Sequence, residues 1–243
     1  LNWSSYKKIN RLLGKALHDY EMIREGDRIA VGLSGGKDSL TLMWFLKERQ
    51  YRVPVSYKIF AIYIDPGFEE NFTDKLADYC KRLDYPLVVD YTDVGLKAHS
   101  MDNLENPCFL CSRLRRKRLY EIADQLGCNK LALAHNKDDV IETFFLNICY
   151  SGQISTMVPK QSVFNGKFHV IRPLAYTDES TIIRFAKGSD FPEFINPCPT
   201  ATVSKRQEIK MLLNRLYRSN KKIKGNIFSA MSHVKTDYLL KRG

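Results

Sequence analysis

Six consecutive residues, Ser34-Gly35-Gly36-Lys37-Asp38-Ser39, lie between a short apolar run at 28–33 and an apolar helical stretch at about 40–48. A strand, a Gly-Gly turn and a helix start together make an anion site. The glycines let the backbone approach a ligand, amide N–H groups point at it, and the helix dipole favours negative charge. Lys37 adds a full positive charge for phosphate oxygens. Asp38 would repel a phosphate unless a Mg2+ ion lies between them. The pattern is not a Walker A loop, because residue 38 is Asp rather than Ser or Thr and the leading glycine is replaced by Val31. It is not a dinucleotide fingerprint either, since no Gly-x-Gly precedes the helix. An ordinary glycine-rich turn would account for Gly35 and Gly36 but not for the Lys-Asp-Ser that follows.

The second chemical signal is Cys108-Phe109-Leu110-Cys111, read as sitting at the start of a helix over about 111–126. There the dipole and Arg113, Arg115 and Arg116 would favour thiolates. A lone CxxC fits a redox pair, half of a zinc site or part of an iron–sulfur site. A four-cysteine zinc ribbon needs a second CxxC, and the chain has none. Cys198 stands in a proline-flanked loop, Asn196-Pro197-Cys198-Pro199, whereas Cys80, Cys128 and Cys149 fall in or beside apolar helical stretches and read as packing thiols.

Further polar residues follow predicted strands. Asp65 ends one beside Pro66-Gly67, where it either packs near an adenine or ribose or caps the turn. His135 ends another, followed by Asp138 and Asp139 at a helix start; one Asp there reads as a cap, the other as a partner for Mg2+ or for the base being activated. Basic residues bunch at Arg113, Arg115, Arg116, Lys117 and Arg118. They bunch again at Lys205, Arg206, Lys210, Arg215, Arg218, Lys221, Lys222 and Lys224. Two such runs flanking the cysteines fit a nucleic-acid backbone crossing the site better than two solvated helix faces.

The elements that position these residues can be read from hydrophobic patterning. A helix over 6–20 precedes strands near 28–33, 57–65, 87–90, 130–135 and 168–171, with helices near 40–48, 71–83, 111–126 and 138–149 between them. Alternation of this kind implies right-handed crossovers and a mainly parallel sheet covered on both faces, with ligands at the carboxyl ends of its strands. Beyond Pro173 the pattern becomes helical and basic. The 243 residues, 44% hydrophobic, suffice for one α/β domain with a small appendage. The net charge of +11 favours a polyanionic partner. No apolar run approaches the ~20 residues needed to span a bilayer, and no apolar segment of a signal peptide follows the first residues. The expectation is a cytoplasmic protein with no membrane partner, in which closely spaced cysteines serve metal or redox chemistry rather than disulfides.

The hexapeptide resembles the signature of PP-loop ATP pyrophosphatases, a class that includes GMP synthetases, tRNA lysidine synthetases and tRNA thiolases. The resemblance implies that Ser34, Gly35, Gly36, Lys37 and Ser39 cradle pyrophosphate and that Asp38 helps hold Mg2+. The stretch 107–116, from Pro107-Cys108 to Arg115-Arg116, is similar to the central motif of the tRNA 2-thiocytidine synthetase family. So are Glu25-Gly26-Asp27-Arg28-Ile29, Asp138-Asp139, Phe145-Leu146-Asn147, Ile171-Arg172-Pro173-Leu174-Ala175-Tyr176, Pro197-Cys198 and Phe228-Ser229-Ala230-Met231. This likeness spans roughly residues 6–234.

It implies an α/β, Rossmann-like parallel-sheet PP-loop ATPase domain at 25–176. An N-terminal helical segment at 1–24 precedes it, and a basic helical extension at 177–243 carries Cys198. It further implies a 4Fe–4S cluster on Cys108, Cys111 and Cys198 with one iron open. Lys37, Asp38, Asp139 and the three cysteines would be catalytic; Asp65 and His135 would join the turn in holding ATP. The partners would be tRNA and a sulfur donor, either sulfide or a desulfurase persulfide, and a homodimer is compatible although no self-association motif is visible. Two positions depart from the family pattern: Asn136 replaces the second of two adjacent histidines, and Ala201 replaces a second cysteine after Cys198. The reaction implied is adenylation of a base C2 carbonyl, in an anticodon-loop cytidine, and exchange of its oxygen for sulfur. The competing readings are a sulfurtransferase for uridine or a non-tRNA substrate, and a non-catalytic RNA-binding or sulfur-sensing relative.

Overall fold

The first helix, α1 (Trp3–Asp19), starts at Asn2, whose side chain accepts the Ser5 N–H at 3.0 Å. Tyr6, Ile9, Leu13 and Ala16 recur at helical spacing and are buried along one face. The computed structural model describes residues 1–195, 197–199 and 205–240. After α1, β1 (Asp27–Leu33) runs into α2 (Lys37–Arg49), β2 (Tyr57–Asp65) into α3 (Thr73–Arg82), and β3 (Leu87–Tyr91) into the short α4 (Val94–Ala98). Next come α5 (Pro107–Gln125), β4 (Lys130–Ala132), α6 (Lys137–Leu146) and a single π-turn at Asn147–Ser151. The hairpin of β5 (Lys160–Val163) and β6 (Phe168–Ile171) is followed by α7 (Glu179–Lys187), α8 (Lys205–Ser219) and α9 (Ile223–Ala230).

The strands lie in the order β3-β2-β1-β4-β6-β5, parallel throughout except for the β5–β6 pair. Val31 faces Ala61 on one side and Ala132 on the other, so β1 is central. Ile29, Ala30 and Val31 are fully buried, as expected of a parallel strand covered on both faces. One face packs on α1, α2 and α7 through Ile9, Leu13, Met43, Phe45, Ile182 and Phe185. The other packs on α5 through Ile62, Ile122, Ala123 and Leu131. A small third cluster, Ile141, Ile209 and Leu213, seats α8 and α9 on α6. Among the described residues no helix is long and apolar enough to cross a membrane.

The strand expected at 168–171 is β6, and β5 pairs with it although no strand was expected there. Its sequence, Lys160-Gln161-Ser162-Val163, is mostly polar because it forms the sheet edge with exposed side chains at its centre. The helix expected from 111 starts four residues earlier. Asn106 caps it by accepting the Cys108 and Phe109 N–H groups at 3.0 and 3.3 Å, and Pro107 occupies the first turn. The helix expected to reach 149 gives way at 146 to the π-turn.

Strand order reverses between β1, whose next strand lies on one side, and β4 on the other. Crevices of open α/β sheets form at such a point, outside the carboxyl ends. The phosphate turn after β1 and the segment after β4 therefore face one another.

Candidate functional site

The turn after β1 closes on itself. The Ser34 N–H donates to Ser39 Oγ at 3.1 Å, and Ser39 Oγ donates to the Gly36 carbonyl at 2.9 Å. Ser39 is 3% exposed, so its hydroxyl braces the turn from beneath. Gly35 sits at φ +75°, and a Cβ added there would lie 2.5 Å from the Phe72 ring, so both backbone and space demand glycine. Gly36 is the N-cap of α2 and uses no side-chain cap, which leaves the helix N-terminus open towards a ligand.

Lys37 is held by two carboxylates, Asp38 at 2.9 Å and Glu179 at 3.2 Å. Burial would lower its pKa, but the two negative charges hold it above the ordinary lysine value. Asp38 also accepts a hydrogen bond from Asn136 Nδ2 at 3.1 Å. Asn136, the departure from the family's second histidine, is 3% exposed and forms a capping box at the start of α6. Its side chain accepts the Asp138 and Asp139 N–H groups, and Asp139 Oδ2 accepts the Asn136 N–H at 2.9 Å. The cap is thus Asn136, with Asp139 as its reciprocal partner. Asp139 Oδ1 takes Arg206 at 3.1 Å, and burial pushes the Asp139 carboxyl up. Asp138 accepts the Glu179 N–H at 2.7 Å and Lys224 Nζ at 2.6 Å.

Asp65 is buried, with Oδ1 on the Gly67 N–H at 2.9 Å and Oδ2 on the Thr73 hydroxyl. Both oxygens staple the turn after β2. β4 ends at Ala132, so His135, expected to close that strand, lies three residues beyond it; its Nδ1 is buried and finds no hydrogen-bond partner among the described residues. Burial, with Arg172, Arg206 and Arg116 adding to it, brings its pKa down to about 3, so the imidazole is neutral.

In α5, Cys108 and Cys111 lie three residues apart on one face of the first turns. Burial pushes the Cys111 thiol up, Arg115 opposes this, and Cys198 and Cys108 are near enough to raise it further. At Cys111 burial thus outweighs the arginine expected to favour the thiolate. Cys198 Sγ lies 3.9 Å from His99 Nε2. His99 follows α4, hydrogen-bonds the Gly95 carbonyl through Nδ1 at 2.8 Å and packs edge-on against Phe68. Ala201 lies outside the described residues.

A cavity of about 190 Å³ lies at the phosphate turn. Ser34, Gly35 and Gly36 line it together with Arg115, one turn beyond Cys111, and Pro197, next to Cys198. Nucleotide-sized pockets usually start near 300 Å³, so this space suits part of a nucleotide. Among the described residues no three His, Cys, Asp or Glu side chains converge tightly enough for a single metal ion. The Cys108 and Cys198 thiols are near enough to Cys111 to act on it electrostatically, and ligands of a multi-iron cluster, which bind different irons, stand farther apart than those of a single ion.

The second basic bunch, at 205–224, separates by partner. Arg206, Lys210 and Lys224 turn inward onto Asp139, Glu179 and Asp138, and Lys205 pairs with Glu208. Arg215, Arg218, Lys221 and Lys222 are exposed, and no ion pair forms at them among the described residues. The inward contacts join positions 31 to 86 residues apart, so spacing carried no sign of them. Glu179, Arg206, Asn136 and His99 are the residues that sequence reasoning had not assigned to the site. For Asn136 the available signal was the Asn-x-x-Asp spacing of a capping box.

Residues 4–213 match the family model described as a PP-loop domain. The tRNA-cytidine(32) 2-sulfurtransferase of Geobacter sulfurreducens is 39% identical over 238 residues, covering 97% of this chain and 93% of that protein. The enzyme of the same name from Syntrophotalea carbinolica is 38% identical, with 97% and 92% covered. Among solved structures, the U34-tRNA thiolase NcsA of Methanococcus maripaludis with its [4Fe-4S] cluster superposes with a TM-score of 0.81 at 24% identity, covering 99% of this chain and 82% of that one. At that identity the likeness concerns the fold. With such identity over nearly the full length of both sequences, the chain belongs to the tRNA-cytidine(32) 2-sulfurtransferase family of PP-loop proteins.

Proposed function

We propose that this protein is an ATP-dependent tRNA sulfurtransferase that replaces the C2 oxygen of an anticodon-loop cytidine with sulfur. The observation that carries this reading is the shared cavity, lined both by the phosphate turn and by Arg115 and Pro197, the neighbours of two candidate cluster cysteines. Full-length similarity to tRNA-cytidine(32) 2-sulfurtransferases supports the substrate.

A C2 carbonyl oxygen is a very poor leaving group. Its attack on the α-phosphorus of ATP forms an O–P bond, breaks the bond to the β-phosphate oxygen and releases pyrophosphate. Lys37 and the open N-terminus of α2 stabilise the charge that develops on pyrophosphate. Asp38 would hold Mg2+, with Asn136 fixing its carboxylate. A sulfur nucleophile then bonds to C2, the C–O bond breaks, and AMP departs. Cys108, Cys111 and Cys198 would hold a 4Fe–4S cluster, which when bound supplies an iron without a protein ligand to carry the sulfur. Arg115 lines the cavity, within reach of anionic groups in it. Neutral His135 offers a ring nitrogen for hydrogen bonding rather than a charge. In this scheme residues 25–176 form the nucleotide domain and 177–243 the extension that brings Cys198 back to it. The outward cations Arg215, Arg218, Lys221 and Lys222 take the tRNA backbone.

The test is anaerobic incubation of the cluster-loaded protein with ATP, sulfide and tRNA lacking thiolation, followed by nucleoside analysis. Two-thiocytidine formed with equal AMP and pyrophosphate is the expected result. Thiolated uridine, or pyrophosphate release without thiolated nucleoside, would contradict it.

A further inference from the structure

The phosphate-turn lysine has a partner that comes from far along the chain. Glu179, the first residue of α7, places Oε1 3.2 Å from Lys37 Nζ across a sequence separation of 142. Its other oxygen takes Lys210 Nζ of α8 at 2.8 Å. Its own N–H donates to Asp138 Oδ2 at 2.7 Å, so α6 anchors the backbone from which the carboxylate projects. The side chain of Glu179 is 22% exposed, those of Lys37 and Lys210 35% and 38%, so the three groups meet at the rim of the crevice rather than in bulk solvent.

We propose that Glu179 is a positioning residue for Lys37. It holds the ammonium group over the phosphate turn, and Lys210 cancels the charge Glu179 would otherwise present to an incoming triphosphate. The inference rests on the sulfurtransferase reading only in assigning Lys37 to the pyrophosphate.

Two features of the geometry make Glu179 necessary rather than redundant. Asp38, the other partner of Lys37, is also tied to Asn136 and is the carboxylate suited to a cation. Once a cation engages Asp38, Glu179 remains as the anchor that keeps Lys37 from swinging into solvent. Lys37, Lys210, Asp38 and Glu179 also sum to zero formal charge. A polyphosphate can enter beside Glu179 without facing an unbalanced carboxylate, and Lys210 ties α8 to the turn in doing so.

The experiment has two arms. In the first, lysine amines of the full-length protein without nucleotide are acetylated by a limiting pulse of acetic anhydride, and Lys37 modification is read by mass spectrometry. Glu179→Ala should raise the Lys37 rate about fivefold or more relative to exposed lysines, because an amine enclosed by carboxylates reacts slowly. An unchanged rate overturns the proposal whatever the protein's reaction proves to be. In the second, pyrophosphate release is measured with ATP and tRNA. Glu179→Ala should lower kcat about 10–100-fold with KM for ATP changed less than about threefold, whereas Glu179→Gln, which keeps an oxygen for Lys37, should recover much of the loss. In a Lys37→Ala background the Glu179→Ala substitution should add almost nothing, since the two act as one unit. Full additivity, or a rise in KM alone, would show that Glu179 acts apart from Lys37. If wild-type protein releases no pyrophosphate while the acetylation contrast holds, the sulfurtransferase reading fails and the positioning contact stands.

Discussion

The two ends of the parallel sheet both carry lysine–carboxylate pairs, and they serve opposite purposes. At the amino end, Lys130 pairs with Asp27 inside the protein, with side chains only 5% exposed on both partners. Asp27 also accepts the Arg24 N–H at 2.6 Å and Asn129 Nδ2 at 2.8 Å, so both its oxygens are engaged. Burial works against the Asp27 charge, but the bonds from Lys130, Arg24 and Asn129 win and hold its pKa below the ordinary value. At the carboxyl end, Lys37 is shared between Asp38 and Glu179 at the crevice rim and is partly open to solvent. A buried pair is closed off from a ligand; a shared, half-exposed one can exchange partners. Charge that fixes a fold and charge placed to meet a ligand are thus distinguished by burial, not by residue type.

That contrast is broken most forcefully at the buried end. Asp27→Ala leaves Lys130 charged and dry, and should cost about 3–5 kcal/mol of folding stability in denaturant titrations, with the nucleotide site intact in the surviving folded protein. The wild-type advantage is present above the unfolded carboxylate pKa and is lost as pH falls through the lower folded value. A cost below about 1 kcal/mol would mean the pair is no more structural than a surface contact.

At the other end, Lys37→Ala should reduce pyrophosphate release about 100–1,000-fold, the range for losing a group that stabilises transition-state charge. Its folding stability should change by about 1 kcal/mol or less, measured in the same titrations. Equal losses of stability and activity would erase the distinction between the two ends.

Glu142 lies between these extremes. It is buried one turn after Asp139, and burial, with the Asp139 charge adding to it, pushes its pKa up to about 7. The folded protein holds this proton more tightly than the unfolded chain. The contribution to stability is therefore full below the ordinary glutamate range and disappears as pH rises towards 7. Glu142→Gln should consequently be more stable than wild type at pH 8, on the order of 1–2 kcal/mol, and lose that advantage near pH 4.5. Unfolding midpoints across pH check this.

The smallest effects belong to outward charges. Arg218→Ala and Lys222→Ala should each weaken tRNA binding and reduce the slope of log K against log salt by about 1, with kcat at saturating tRNA preserved. Substituting inward-turned Arg206 should instead disturb Asp139 and lower kcat.

The parts of the fold whose signal is local are legible in the sequence. The run from Arg28 to Leu33, the Gly-Gly-Lys-Asp turn and the apolar stretch after it announced a strand, an anion site and a helix, and the structure has β1 and α2 there. Cysteine spacing marked the segment that α5 now presents. What escaped was carried by tertiary contact or by weak composition. β5 is polar because it is an edge, and α4 is five residues long. Asn136 looked like a departure from a family pattern, yet its position between Asp38 and the start of α6 gives it a bridging task. Glu179, Arg206 and Lys210 acquire meaning only when α7 and α8 fold back over the turn. No periodicity encodes a contact between positions 37 and 179.

The most direct measurement is iron and acid-labile sulfide content after anaerobic reconstitution, compared between wild-type protein and Cys198→Ser. If Cys108, Cys111 and Cys198 hold one cluster beside the phosphate turn, as proposed, the wild type takes up about four irons per chain and the variant loses nearly all of them. Retention of wild-type iron and sulfide in Cys198→Ser, or zinc without labile sulfide in the wild type, would contradict it.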